Sequence, residues 1–162
     1  MIKIVGIDPG LAGTGVGVVA GDGRDVSGYA FGSISTCKDD PVHKRLEIIF
    51  DGVHDLLVRE KPDLVVLEDI FSLGKYPGSG IVLGKVSGVL LLAASRAGAK
   101  IEEVAVREAK QVITGSGRAD KHQMERSVRD ILNHSGIIRP FHAADALALA
   151  LTGFYRFGRQ GV

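Results

Sequence analysis

Within its first 34 residues the chain carries three apolar, β-branched runs, at residues 3–8, 13–20 and 26–34, joined by turns too short to hold a helix. Parallel neighbours need a crossover of about a dozen residues or more, so runs this closely spaced pair antiparallel, as a meander. Pro9-Gly10 closes the first run, and Gly21-Asp22-Gly23 supplies a hairpin turn after the second. This opening fixes part of a sheet against which everything downstream must pack.

Val42, Leu46, Ile49, Val53 and Leu56 then recur at helical spacing until Pro62 ends them, ahead of an apolar run at 64–67. Residues 81–97 read as a long helix, apolar almost all round, with Gly84 and Gly88 one turn apart so that another backbone can approach. A short strand at 101–106 follows, then an amphipathic helix marked by Met124, Val128, Ile131 and Leu132, and, after Pro140, an Ala/Leu helix at 143–151. Antiparallel strands followed by alternating helices and strands indicate a mixed α/β sheet with helices on its faces. With no repeat, linker or low-complexity segment, residues 1–157 are expected to form one domain and 158–162 a short tail.

At 45% hydrophobic and 24% charged over 162 residues, the chain has the composition of a folded domain with one core. Cys37 is the only cysteine and has no partner for an internal disulfide, and MIKIVGID carries neither the basic region nor the apolar run of a secretory signal. Apolar stretches such as 89–94 fall well short of a bilayer span, so a cytoplasmic protein without a membrane role is expected. A formal charge of +1 gives no bulk argument for a polyanionic partner. Locally, Arg107, Lys110, Arg118, Lys121, Arg126 and Arg129 outnumber Glu108, Asp120 and Glu125, which makes this stretch the basic face.

Asp8 and Glu68 each end an apolar strand, where a charged side chain suits a cleft better than a core, and open α/β sheets place ligands at strand carboxyl ends. His142 and Asp145, three apart at a helix start, project from one face. Taken singly, each also reads as a solvated strand end or a helix cap; the joint pattern points to a site. Three carboxylates and an imidazole suit Mg²⁺ or Mn²⁺ better than structural zinc. Two ions held by shared carboxylates activate water and stabilise the leaving oxygen in phosphodiester hydrolysis without a nucleophilic side chain. For holding nucleic acid, the loop at 69–80 offers Phe71 and Tyr76 for stacking on bases and Lys75 for a phosphate. The backbone N–H groups of Gly115, Ser116 and Gly117 offer a phosphate cradle beside Arg118 and Lys121.

The strand GIDPG followed by TGVGVV, the strand VVLED followed by Ile-Phe, the stretch Arg107-Glu-Ala-Lys110-Gln111 with TGSGRADK after it, and the helix HAADALALA stand in an order and spacing that resemble the RuvC family of Holliday-junction resolvases, over about residues 4–151. The resemblance implies a ribonuclease H-like fold with a mixed five-stranded sheet flanked by helices. It also implies a homodimeric crossover junction endodeoxyribonuclease that makes paired symmetric nicks in recombination and repair. Mg²⁺ or Mn²⁺, two ions per site, and a branch-migration helicase complex of RuvA and RuvB are implied with it. Asp8, Glu68 and Asp145 match catalytic acids of the family, and His142 stands where many relatives carry Asp. Phe71 matches a DNA-contacting aromatic, and Lys110 and Lys121 match basic positions near the scissile strand; Lys75, Tyr76, Lys85, Arg107 and Arg118 complete the expected DNA contacts. Lys85 and Ser87 depart from the glutamine and arginine of relatives, which weakens the expectation for that helix. An imidazole binds metal only when neutral, and the helix start is expected to oppose protonation of His142.

Two rival readings are weaker. DPGLAGTGVG also resembles the first phosphate loop of sugar kinases and actin-like ATPases, but those phosphotransferases duplicate the domain and no second copy is present. A junction-binding protein without cleavage would have no need to keep Asp8, Glu68 and Asp145 together.

Overall fold

A computed structural model describes residues 1–70 and 77–158, with Pro77 described in its backbone alone. The strands are β1 (Ile2–Asp8), β2 (Gly13–Gly21), β3 (Val26–Ser35), β4 (Leu64–Asp69) and β5 (Ile101–Ala105). The helices are α1 (Val42–Glu60), α2 (Pro77–Arg96), α3 (Val106–Thr114), α4 (Lys121–Ile131) and α5 (Phe141–Phe157). They form a five-stranded sheet of order β3-β2-β1-β4-β5. The meander β1-β2-β3 is antiparallel, whereas β4 runs parallel to β1 and β5 parallel to β4. At the β2–β3 turn, Asp22 accepts the backbone N–H groups of Arg24 and Asp25 at 2.8 Å each, and Gly23 takes φ 94, a conformation glycine adopts without steric cost.

Strand periodicity sorts the central residues onto two faces. Val5, Ile7, Val65 and Leu67 pack with Ile49, Val53, Val86 and Leu90 of α1 and α2. Ile4, Val19, Leu64 and Val66 pack with α3, α4 and α5 through residues such as Met124, Val128, Leu147 and Phe154. Continuing the alternation puts Asp8, two past Gly6, and Glu68, two past Val66, on the α5 face. Because Ile7 pairs with Leu67, the two acids emerge side by side from neighbouring parallel strands.

Glycine decides how close α5 comes. A Cβ on Gly17 would sit 2.6 Å from the backbone nitrogen of Leu147, and one on Gly6 2.5 Å from that of Ala150. At Gly15 it would collide with the carbonyl of His142. On the helix side, Ala143, Ala146 and Ala150 are fully buried. Small residues on both sides thus let α5 lie directly on β1 and β2.

Several boundaries differ from the sequence reading. β4 continues through Glu68 to Asp69, where it still pairs with β5, and α5 runs on to Phe157. α3 was not anticipated; Val106, Ala109 and Ile113 carry its spacing, but it follows β5 with no intervening turn residue. Of the tail expected at 158–162, only Gly158 is among the described residues. The expectation that no apolar segment approaches a bilayer span is corrected. By length and composition, Gly78–Arg96 is long and apolar enough to cross a membrane, although Val86, Leu90, Ala93 and Ala94 are buried against α1 and the sheet. Gly88 has no neighbour within 4 Å of a built Cβ and Gly84 only the tip of Ile70, so among the described residues no backbone uses the approach they permit.

Candidate active site

Four side chains meet where β1, β4 and α5 converge. Asp8 is the last residue of β1 and is buried; Glu68 and Asp145 are half-buried beside it. Nδ1 of His142 lies 2.7 Å from Oδ2 of Asp8, an approach that joins residues 134 apart in sequence. A side chain on Gly13 or Gly10 would come within 3.8 Å of the His142 ring, so the loop after β1 keeps space open there. Thr14 donates to the carbonyl of Gly10 at 2.8 Å, and Thr36 to that of Leu11 at 2.5 Å, which fixes the same loop; Arg45 in turn donates to the Thr36 hydroxyl at 2.8 Å.

Crowded acids in a site of low polarity hold protons. Burial, a hydrogen bond to Asp8 and the charges of Asp8 and Asp145 push the Glu68 carboxyl up to about 9, against a smaller opposing pull from Lys110. Burial and the charge of Asp8 push Asp145 up to about 6, with His142 and Lys110 opposing. The hydrogen bond His142 gives to Asp8 raises the imidazole, outweighing its partial burial. This overturns the expectation that the helix start keeps the imidazole neutral: a carboxylate at 2.7 Å outweighs the partial charge of a helix end. Without a cation, Glu68 therefore holds its proton at neutral pH, and the Asp8 carboxylate makes His142 easier to protonate than a free imidazole.

The donor set fits a hard divalent cation. It supplies several carboxylate oxygens and one ring nitrogen, and its negative charge adds to burial in raising the acids. With Nδ1 given to Asp8, Nε2 is the nitrogen left to face a metal. Among the described residues, no three acidic, histidine or cysteine side chains already converge as a cage, consistent with their being turned onto one another. When bound, such an ion lowers the pKa of a water and offsets charge on a phosphoryl group.

The basic face divides on inspection. Lys110 of α3 is close enough to act on both Glu68 and Asp145. Lys121 stands at the start of α4 with its Nζ 4.9 Å from the centre of the Phe141 ring. Arg107 packs along Gly117 beside Glu108 and Arg156, which pair with each other; Arg118 and Lys85 are exposed. Phe71, Lys75 and Tyr76 lie outside the described residues.

The phosphate cradle expected at Gly115-Ser116-Gly117 is corrected. The N–H of Gly115 binds the Gln111 carbonyl at 3.0 Å, that of Ser116 the Thr114 hydroxyl at 3.1 Å, and that of Gly117 the Gln111 side-chain oxygen at 3.0 Å. These donors are occupied within the loop. The start of α4 is likewise closed, by a capping box in which Asp120 accepts from His122 and Gln123. The sequence reading also missed Glu125, a buried carboxylate that accepts the N–H of Ile138 at 3.0 Å and lies 3.4 Å from Arg129, bracing the segment that leads into α5. A glutamate on the apolar side of the Met124–Val128 helix was its signal.

The fold is that of a ribonuclease H-like nuclease, a hydrolase, and it carries a carboxylate cluster at the ends of two parallel strands. The profile of the family "Crossover junction endodeoxyribonuclease RuvC" matches residues 4–153. The chain is 39% identical to the protein of that name from Serratia proteamaculans over 152 residues, covering 94% of this chain and 86% of that one. It is 42% identical to that from Corynebacterium jeikeium over 153 residues, covering 94% and 93%. Its structure resembles that of Thermus thermophilus RuvC in complex with a Holliday-junction substrate, with TM-score 0.87 and 32% identity over 99% of this chain and 97% of that one. The chain belongs to the RuvC family of crossover junction endodeoxyribonucleases, which are metal-dependent nucleases.

Proposed function

We propose that this chain resolves four-way DNA junctions by paired symmetric nicks, with Asp8, Glu68, His142 and Asp145 as its catalytic metal ligands. The reading is supported above all by the gathering of these side chains where β1, β4 and α5 meet, with His142 bonded to Asp8 at 2.7 Å. Three acids and an imidazole from three separate elements act on one another there, and a divalent cation would offset their charge. Mg²⁺ or Mn²⁺, two per site, is the matching cofactor for phosphodiester hydrolysis. Lys110 sits beside the acids, where it would stabilise charge developing on the phosphate. Arg107, Arg118, Lys121 and Lys85 supply further backbone contacts, and Phe71, Lys75 and Tyr76 those expected near the cut.

Two-strand cleavage calls for two sites in symmetric relation, and a homodimer provides them. Ile81 and Leu92, 64% and 52% exposed on α2 with the open Gly84 and Gly88 between them, supply an apolar surface for a second copy. Work in recombination and repair places the enzyme in the cytoplasm alongside a RuvA–RuvB type helicase. The test is cleavage of a synthetic four-way junction against matched duplex and RNA–DNA hybrid, with Mg²⁺ or Mn²⁺. Paired nicks on opposite strands of the junction are expected, and preferential cutting of duplex or hybrid would overturn the reading.

A further inference from the structure

Just ahead of the metal cluster, Phe141 opens α5 one residue before His142. Three cationic or titratable groups gather on its ring. The Arg139 guanidinium stands 4.0 Å from the ring centre, the Lys121 ammonium 4.9 Å, and the His122 ring meets it edge-on at 5.1 Å and 86°. Lys121 and His122 come from α4 and Arg139 from the segment before α5, so the cluster is assembled by tertiary packing. Arg139 is further oriented by a bond from its Nη1 to the carbonyl of Ile138 at 3.1 Å.

Two full positive charges are thus brought to one aromatic ring, and cation–π attraction offsets their mutual repulsion only in part. Neither Lys121 nor Arg139 makes an ion pair with a carboxylate among the described residues. The nearby Asp120 is committed to capping α4, where backbone hydrogen bonds hold its carboxyl below the usual range. The arrangement is thus a solvent-exposed platform whose charge no carboxylate among the described residues neutralises, adjoining the site where a phosphodiester would be cut.

We infer that Arg139, Lys121 and Phe141 form a docking point for a DNA backbone phosphate, holding the strand that enters or leaves the metal cluster on its His142 side. This deepens the nuclease function proposed above and rests on it. With its carbon 4.0 Å from the ring centre, the planar guanidinium can keep N–H donors at its rim for phosphate oxygens, which an ammonium alone does less well. A backbone contact of this kind positions the strand and carries no sequence preference.

The test measures binding of a synthetic four-way junction by fluorescence anisotropy in Ca²⁺, across a salt series, for wild type, Arg139→Gln and Arg139→Lys. Each phosphate neutralised contributes about 0.9 to the slope of log affinity against log salt. Arg139→Gln is expected to lose about one unit of slope and about three- to tenfold in affinity at moderate salt, equally for junctions of different sequence. Arg139→Lys keeps the slope. If Arg139→Gln has the wild-type slope, with or without a lower unfolding temperature, the contact is a structural staple and the inference is overturned. A wild type that neither binds nor nicks the junction overturns the proposed function and this inference with it. Wild-type cleavage with an unchanged Arg139→Gln slope overturns this inference alone.

Discussion

Replacing Gly17 with alanine asks α5 to move. The added Cβ would stand 2.6 Å from the nitrogen and 2.8 Å from the Cα of Leu147, and 2.9 Å from the carbonyl carbon of Ala146. All three are backbone atoms, so no rotamer change relieves the clash. Ordinary contact begins at 3.4 Å, so α5 must retreat by the difference, 3.4 − 2.6 = 0.8 Å, at this point. Overpacking of this kind costs about 1–3 kcal/mol. Leu147 is two residues from Asp145 and five from His142, so the retreat carries both away from Asp8 and Glu68. A misplacement near 1 Å costs on the order of 10²-fold in rate. The assay pairs chemical denaturation with single-turnover junction cleavage at saturating Mn²⁺, using Gly28→Ala on β3 as control, since a Cβ there meets nothing within 4 Å. Gly17→Ala is expected to lose rate by about 10²-fold and stability by about 1–3 kcal/mol, whereas Gly28→Ala changes neither by much. A Gly17→Ala enzyme with wild-type stability and rate would refute the claim that glycine contact positions the catalytic helix.

Glu68 is raised from its usual 4.5 to about 9, so its stabilising effect on the metal-free fold is complete below 4.5 and lost as pH rises through 9. Asp145, raised from 3.8 to about 6, adds a loss of the same sign across that lower window. Glu68→Gln should accordingly be more stable than wild type near pH 8 without metal, by about 0.5–2 kcal/mol. Saturating Mn²⁺ should reverse the order by stabilising the wild type alone. Thermal melts with and without the ion check this, and a metal-free variant no more stable than wild type would count against it. Glu125→Ala leaves the Ile138 N–H and the buried side of Arg129 without their partner, at about 3 kcal/mol in denaturant titrations; a loss below about 1 kcal/mol would contradict the bracing role. The imidazole of His142 should make Mn²⁺ the better cofactor, with equal cleavage rates in both ions at saturation as the contrary result.

Much of the site was legible because its geometry follows from two periods. A period of two carries Asp8 and Glu68 to one face, and a spacing of three carries His142 and Asp145 to one side of a helix. Both are local properties that survive in any single sequence. The glycines of TGVGVV were visible too, but what they accommodate lies about 130 residues downstream, and only packing shows that Gly15 and Gly17 face α5. The loop at 115–117 was misread for a related reason. Its N–H groups looked free because the chain does not reveal that Gln111 and Thr114 turn back to satisfy them. The upward shift of His142 went the same way, since the hydrogen bond behind it spans most of the chain. Arg139 and Phe141 drew no notice, being ordinary residues until α4 brings Lys121 and His122 against them.

If Asp8, Glu68, His142 and Asp145 act as one cation site, a bound ion displaces protons from it. Titration calorimetry of Mn²⁺ into wild type and Asp8→Asn near pH 7, repeated in buffers of different ionisation enthalpy, reads both binding and proton release. Wild type is expected to bind with net release of protons, and Asp8→Asn to bind at least about tenfold more weakly. Equal affinity in the two proteins, or binding by the wild type with no proton release, would contradict it.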